Sequence, residues 1–228
     1  MASKAITIAL AGNPNAGKTT VFNNLTGAKQ HVGNWPGVTV EKKEGNCSHK
    51  GYKLKVVDLP GVYSLTAYSL DEVIARDFII DEKPDVVVDI VDASNLERNL
   101  YLTVQLLELN TNLVVALNMI DMAESRGYRI NIEELSRLLG IPVIPLVATH
   151  NQGTQQLLDS IVDIAKGNIK VTGIQLKYGK DTEEEINKLE RVISGSSIGG
   201  EYSPRWLAVK LLEEDEEIIK KFGGAKVG

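Results

Sequence analysis

Gly12-Asn13-Pro14-Asn15-Ala16-Gly17-Lys18-Thr19 decides the fold of this chain. It fits Gly-x-x-x-x-Gly-Lys-[Ser/Thr], the phosphate-cradling P-loop. Its flanks suit that reading. Ala5 to Ala11 (Ala-Ile-Thr-Ile-Ala-Leu-Ala) is the near-continuous apolar run of a parallel strand buried on both faces. Thr19 to Leu25 then reads as the start of a helix. A strand, a glycine turn and a helix N-terminus aim backbone N–H groups at one point, where the helix dipole also favours an anion. Lys18 is placed to neutralise the β- and γ-phosphates of a nucleotide. The Thr19 hydroxyl can ligate Mg²⁺, and Thr20 beside it completes the cradle.

The composition sets the frame around that motif. A chain of 228 residues, 43% hydrophobic and 24% charged, is ordinary for a globular protein of one or two domains. A net charge of −5 argues against a protein built to grip a nucleic-acid backbone. The single Cys47 forms neither an internal disulfide nor a metal site by itself, which suits a reducing cytoplasm. Met-Ala-Ser-Lys at the start lacks the apolar core of a signal peptide. No run of about 18 apolar residues is present, so a spanning helix is not expected. A soluble piece of a larger membrane protein remains compatible.

Beyond the P-loop the pattern alternates strand and helix as far as Gly167. Thr39 to Cys47 and Tyr52 to Leu59 read as extended segments joined by a hairpin at His49-Lys50-Gly51. Ser69 to Asp81 carries Leu70, Val73, Ile74 and Phe78 at helical spacing. Strands are expected at 85–92, 112–117 and 142–147, and helices at 95–109, 131–139 and 154–166. The fold class is therefore α/β: a doubly wound sheet of the P-loop GTPase (Ras-like) kind with one antiparallel hairpin. Residues 1–168 form this nucleotide-binding domain and 169–228 a small, mostly helical one. In the second domain, 168–179 has mixed, partly extended character. A helix is expected over 181–193, a flexible glycine-serine loop over 194–200, and an N-cap at Ser203-Pro204. The next helix should carry Leu207, Leu211, Ile218 and Phe222 on one side, with Glu213 to Glu217 as a solvated charged face.

Later features choose the base. Asp58-Leu59-Pro60-Gly61 follows a strand and fits Asp-x-x-Gly. Asp58 would hold Mg²⁺ through water, and the Gly61 N–H would sense the γ-phosphate. Asn118-Met119-Ile120-Asp121 fits Asn-x-x-Asp, a reduced form of Asn-Lys-x-Asp. A carboxylate at Asp121 accepts two hydrogen bonds from guanine N1–H and N2–H₂, and a buried Asp121 would be left unpaired by adenine. Met119 stands where a lysine packs over the base; it supplies apolar cover without charge, so weaker nucleotide retention is expected. Val147-Ala148-Thr149 occupies the place of the superfamily's Ser-Ala-Lys, which offers the Ala148 N–H to guanine O6. Thr39, in Gly37-Val38-Thr39-Val40-Glu41, is the candidate switch residue that completes Mg²⁺ coordination with GTP bound.

Together Gly12 to Thr19, Val32-Gly-Asn-Trp-Pro-Gly-Val-Thr-Val-Glu41 and Asp58-Leu-Pro-Gly-Val-Tyr-Ser-Leu65 resemble the cytosolic G domain of the FeoB family of ferrous-iron transporters. Arg205-Trp-Leu-Ala-Val-Lys-Leu-Leu-Glu-Glu-Asp215 resembles that family's helical domain, often called GDP-dissociation-inhibitor-like. The resemblance implies a GTP- and GDP-binding GTPase that acts at the cytoplasmic face of the cell membrane. It implies as partner a C-terminal transmembrane iron-permeation domain absent from this chain, which ends in Gly-Gly-Ala-Lys-Val-Gly. A homo-oligomer and small accessory proteins of iron uptake are left open as partners, and nucleic acid is not expected. Iron itself comes from the resemblance alone. The resemblance also implies K⁺ at Asn15, which matches the asparagine of potassium-activated GTPases. There a cation offsets phosphate charge as an arginine finger does. Val62 stands where Ras-type GTPases carry the glutamine that orients water, so slow intrinsic turnover by Lys18, Thr39, Gly61 and Asn15 is expected. Two other readings stay open: a ribosome-assembly GTPase that binds RNA, and a module that senses GDP and GTP with negligible hydrolysis.

Overall fold

The computed structural model describes residues 5–27, 30–174, 176–196 and 202–222. The part of the 194–200 loop from residue 197 onward, the termini at 1–4 and 223–228, and the Phe222 side chain lie outside the described residues. Contacts divide the chain into two compact units, one of residues 1–107 and 111–174, the other of 108–110 and 175–228.

The first unit runs β1 (Ile6–Gly12), α1 (Lys18–Thr26), β2 (Gln30–Asn34), β3 (Glu41–His49), β4 (Tyr52–Asp58), α2 (Leu70–Asp77), β5 (Val86–Asp92), α3 (Leu96–Glu108), β6 (Leu113–Asn118), α4 (Ile120–Ser125), α5 (Ile132–Leu139), β7 (Val143–Pro145) and α6 (Thr154–Ala165). The strands form one seven-stranded sheet in the order β2-β3-β4-β1-β5-β6-β7. From β4 to β7 every pairing is parallel, because a helix or long crossover returns the chain between neighbours. The expected β3–β4 hairpin is present, and β2 adds a further antiparallel strand outside it. All five residues of β2 are exposed, as an edge strand allows.

Register brings the chemistry to one edge. Leu10 pairs with Asp58 and Gly12 with Ile90, so Asp58 and the P-loop leave the sheet side by side. Lys43 lies opposite Asp58, which puts the β2–β3 loop at that same carboxyl edge. Asp92 pairs with Asn118, which brings the segment after β6 there too. The core explains why these strands hold their register. Ile6, Ile8 and Leu10 alternate onto the face covered by Val21, Phe22 and Leu25 of α1 and Leu157 and Ile161 of α6. A slip of one residue would turn that whole set to the other face.

Three elements depart from the sequence reading. The helix expected over 69–81 is α-helical only to Asp77, after a Ser69–Glu72 capping box. It continues as a π-helical turn over Phe78–Glu82 and stops at Lys83, which has φ 46°. The segment 168–174 contains no strand. In the second unit, the single helix expected after Ser203 is two: α8 (Pro204–Leu212) and α9 (Glu216–Phe222). Glu214 turns left-handed at φ 55°, and the Asp215 carboxylate accepts the Ile218 N–H to start the new helix. The acidic run is thus a helix break and a cap as well as a solvated face. That unit also holds α7 (Lys180–Ser194), with Ile186 and Ile193 buried, as are Trp206, Leu207 and Ile218. Ser203 caps α8 ahead of Pro204 as expected. Arg205 reaches both carboxylate oxygens of Glu183 and the Leu176 carbonyl. Among the described residues no helix is long and apolar enough to cross a membrane.

One core residue carries a pH dependence. Asp89 lies in the middle of β5, 1% exposed, and accepts a 2.5 Å hydrogen bond from Thr103 Oγ1 on α3, while its Oδ1 has no partner. Burial pushes its carboxyl up to about 7, against 3.8 unperturbed, and the Thr103 bond only partly opposes this. Between those two pH values the folded chain keeps a proton that the unfolded chain gives up. Stability is therefore greatest below the unfolded value, falls as pH rises through this window, and levels off above about 7. The full swing is roughly 4 kcal/mol at 1.36 kcal/mol per pKa unit. Asp89→Asn mimics the protonated acid. It is expected to raise the melting temperature at pH 8 and to give a much smaller gain at pH 5; thermal melts showing equal gains at both would contradict the raised Asp89 carboxyl.

Candidate functional site

The P-loop folds as its residue types require. Gly12 leaves β1 where an added Cβ would sit 2.6 Å from the Ile90 carbonyl oxygen. Gly17 caps α1 at φ 91°, and a Cβ there would meet Asn118 Nδ2 at 2.3 Å. No side chain caps α1, which leaves its first-turn N–H groups as candidate donors to an anion. Asn15 adopts φ 67° and is exposed, Thr19 is exposed, and Thr20 is half-buried. Lys18 Nζ lies 2.5 Å from Asp58 Oδ1. Burial pushes the Asp58 carboxyl up, while the charge and hydrogen bond of Lys18, and then Lys43, pull it back down.

Asn118 ties two loops together. Its Nδ2 donates to the Ala16 carbonyl at 2.9 Å, and its Oδ1 accepts the Ala148 N–H at 3.0 Å. One buried amide thereby fixes the P-loop against the 147–149 turn. Asn24 of α1 adds a 2.7 Å bond to the Ala148 carbonyl. Met119 is left-handed at φ 60°, and its methyl would lie 3.6 Å from a Cβ on Gly17. Its apolar tip thus lies beside the P-loop. Ile120 is half-buried; Asp121 is exposed in the first turn of α4, rather than buried. Val147 and Ala148 are buried and Thr149 is exposed.

The two remaining segments behave differently. The 58–69 segment is held closely: Leu59 N–H donates to the Leu10 carbonyl, and Val62 N–H to that of Gly12 at 3.2 Å. A Cβ on Gly61 would lie 3.4 Å from Pro14 Cα, and Pro60 beside it is half-buried. Val62 is buried, so it contributes no polar group. The β2–β3 loop closes on itself instead. Trp35 N–H donates to the Val40 carbonyl, Val38 N–H donates to that of Trp35, and Gly37 turns at φ 76°. Thr39 is exposed, and Glu41 pairs with Lys43 at 2.7 Å. Among the described residues no group of three or more His, Cys, Asp or Glu side chains could hold a metal ion. One carboxylate and one hydroxyl suit Mg²⁺, which takes few protein ligands beside phosphates and water.

Sequence reasoning missed the supports of these segments. Gln105 Oε1 accepts the Leu65 N–H at 2.7 Å, and the Arg98 guanidinium lies 4.2 Å over the Tyr63 ring, both from α3. Trp35, 7% exposed, packs edge-on against Phe78 at 5.4 Å with Lys42 Nζ 4.7 Å from its ring centre. Glu72 accepts from Ser64 Oγ and from the Tyr68 N–H. Only the last had a readable signal, the Ser69-x-x-Glu72 capping box.

The parallel sheet with its antiparallel edge, the P-loop between β1 and α1, and the Asn118 tie define a P-loop GTPase fold. A family model described as ferrous iron transport protein B matches residues 6–161, and one described as the FeoB cytosolic helical domain matches 178–227. The chain belongs to the FeoB family. The Fe(2+) transporter FeoB of Shigella flexneri is 50% identical over 216 residues, which are 93% of this chain and 27% of that protein. A fusion of Fe(2+) transport protein A with the transporter FeoB from Porphyromonas gingivalis is 44% identical over 221 residues, 96% of this chain and 26% of that one. The chain thus spans about a quarter of the length of these relatives. The cytosolic domain of the T. maritima FeoB iron transporter in a GDP form superposes with a TM-score of 0.91 at 42% identity, covering 99% of this chain and 86% of that one. The GMPPNP form of the same domain gives a TM-score of 0.91 over 98% of this chain and 86% of that one.

Proposed function

We propose that this chain binds GTP and GDP with Mg²⁺, hydrolyses GTP slowly, and serves as the cytosolic switch of a membrane protein that carries Fe²⁺. The observation that carries the guanine reading is the Asn118 amide, hydrogen-bonded to both the P-loop and the 147–149 turn. That tie joins three loops, and Asp121, exposed in the first turn of α4, supports the reading as the acceptor for a base. The T. maritima relative's GDP and GMPPNP forms support the same nucleotide. The iron reading rests on the curated relatives, which are transporters.

The residue roles in this reading are those that the motifs and the family resemblance imply. Lys18 and the first-turn N–H groups of α1 hold the phosphates. The Thr19 hydroxyl and, through water, Asp58 hold Mg²⁺, which when bound offsets phosphate charge. Thr39 joins that set when the β2–β3 loop opens toward the phosphates. Gly61 offers its N–H to the terminal phosphate. Asn15 offers a neutral carbonyl oxygen to K⁺ beside the phosphates. With Val62 buried and apolar, no side chain follows Gly61 to orient water, which makes intrinsic turnover slow. Residues 1–168 act as the nucleotide-binding domain and 169–228 as the helical domain that accompanies it.

The base contact is directly testable. Asp121→Asn replaces an acceptor pair by an acceptor and a donor. It should weaken GTP binding by about 2–4 kcal/mol and shift preference toward xanthine nucleotides, as expected when hydrogen-bonding groups are left unpaired. Titration with labelled guanine and xanthine nucleotides reads both changes; unaltered GTP affinity would show that the base lies elsewhere.

A further inference from the structure

Asn13 is 3% exposed, and both polar atoms of its side chain are buried without a hydrogen-bond partner. Buried amides are nearly always paired, so an unpaired one in a phosphate loop calls for a use. Its backbone is already committed, since the Asn13 carbonyl accepts the Ala16 N–H. What flanks it is the segment after β4. On one side Val62 N–H donates to the Gly12 carbonyl at 3.2 Å, and on the other Gly61 packs on Pro14, 3.4 Å from its Cα to an added Cβ. The Gly61–Val62 segment therefore crosses the P-loop at Asn13, and it brings no polar side chain there because Val62 is apolar and 4% exposed.

We propose that Asn13 is a positioning residue: its amide pairs with backbone groups of the Gly61–Val62 segment when that segment closes on the terminal phosphate of a nucleoside triphosphate. This rests on the GTPase reading above. When the Gly61 N–H turns toward a phosphate, the Val62 N–H must leave the Gly12 carbonyl. The neighbouring Asn13 Oδ1 accepts it, and Nδ2 donates to a carbonyl of the same segment. The two Asn13 groups unpaired in the resting arrangement become paired while the Gly12 carbonyl gives up the Val62 N–H, a net gain of one hydrogen bond that favours closure and holds the segment still during the reaction. A fixed side chain in the loop's floor thus substitutes for the support that a polar residue at position 62 would give.

The test is single-turnover hydrolysis at saturating GTP, with Mg²⁺ and K⁺ fixed, alongside GDP titration and a thermal melt. Asn13→Ala should slow the rate by about tenfold and leave GDP affinity within about threefold, with no loss of melting temperature, since the lost bond exists only in the closed state. Asn13→Ser, which keeps a donor and an acceptor, should recover part of the rate. A normal rate in Asn13→Ala overturns the proposal. So does an alanine variant that melts lower and loses GDP and GTP affinity alike at an unchanged saturated rate, because Asn13 would then only brace the loop. An unaltered chain that binds GTP without turning it over removes the GTPase reading, and the Asn13 role with it.

Discussion

Lys18→Ala is expected to remove measurable GTP and GDP binding. Lys18 is the side-chain cation of the P-loop, and a hydrogen bond to a charged group contributes about 1.5–3 kcal/mol. Two phosphates contacted by one ammonium give a loss of about 3–6 kcal/mol, or 10²–10⁴-fold. The ion pair with Asp58 adds a second consequence. Lys18 is 12% and Asp58 7% exposed at the side chain, so alanine leaves a buried carboxylate without its nearest cation. Burial already pushes that carboxyl up, and the variant's Asp58 should hold its proton to still higher pH. A circular-dichroism spectrum like that of the unaltered chain, beside a flat fluorescent-GDP titration, is the expected pair of results. Unchanged titration would place the nucleotide elsewhere.

The largest effect on rate is expected from the monovalent cation. With Val62 apolar, charge developing on the phosphates must be met by fixed donors and by cations. Asn15 carries a neutral carbonyl oxygen beside the cradle. GTP turnover should be faster in K⁺ than in Na⁺ at matched ionic strength, because a carbonyl cage suits the larger ion. Asn15→Ala should lower the K⁺ rate to the Na⁺ rate, a loss of about 10²–10³ if the cation acts like an oxyanion-hole donor. Alanine is strained at φ 67°, so Asn15→Gly is the control: it fits that backbone and also lacks the carbonyl. Both variants should lose the K⁺ effect with GDP affinity little changed. Equal rates in the two salts for the unaltered chain would return Asn15 to the role of a turn residue.

What was legible in the sequence was whatever had a strong local pattern. The apolar runs gave β1, β5 and β6, and the P-loop located the helix after β1. Ser203-Pro204 announced the start of α8, as Asn131 and Gly140 did the ends of α5. What escaped lacked such a pattern. β2 is Gln-His-Val-Gly-Asn with every residue exposed, so no alternation marks it; only pairing with β3 makes it a strand. The break at Glu214 was hidden because Glu213 to Glu217 looks helical by propensity, and the left-handed turn there is fixed by the Asp215 cap. In the site, motif spacing found the loops but not their supports. The bonds from Gln105 to Leu65 and from Asn118 to Ala148 join residues far apart in the chain, and no local spacing encodes them. Asp121 shows the reverse limit: its residue type was readable, whereas its exposure was not.

This edge of the sheet is expected to select and hydrolyse a guanine nucleotide. Phosphate release by the unaltered chain, with GTP and with ATP, in Mg²⁺ and K⁺, tests it most directly. Slow, saturable release from GTP that unlabelled GDP suppresses is expected, and none from ATP. Equal release from ATP, or binding of neither nucleotide, would contradict it.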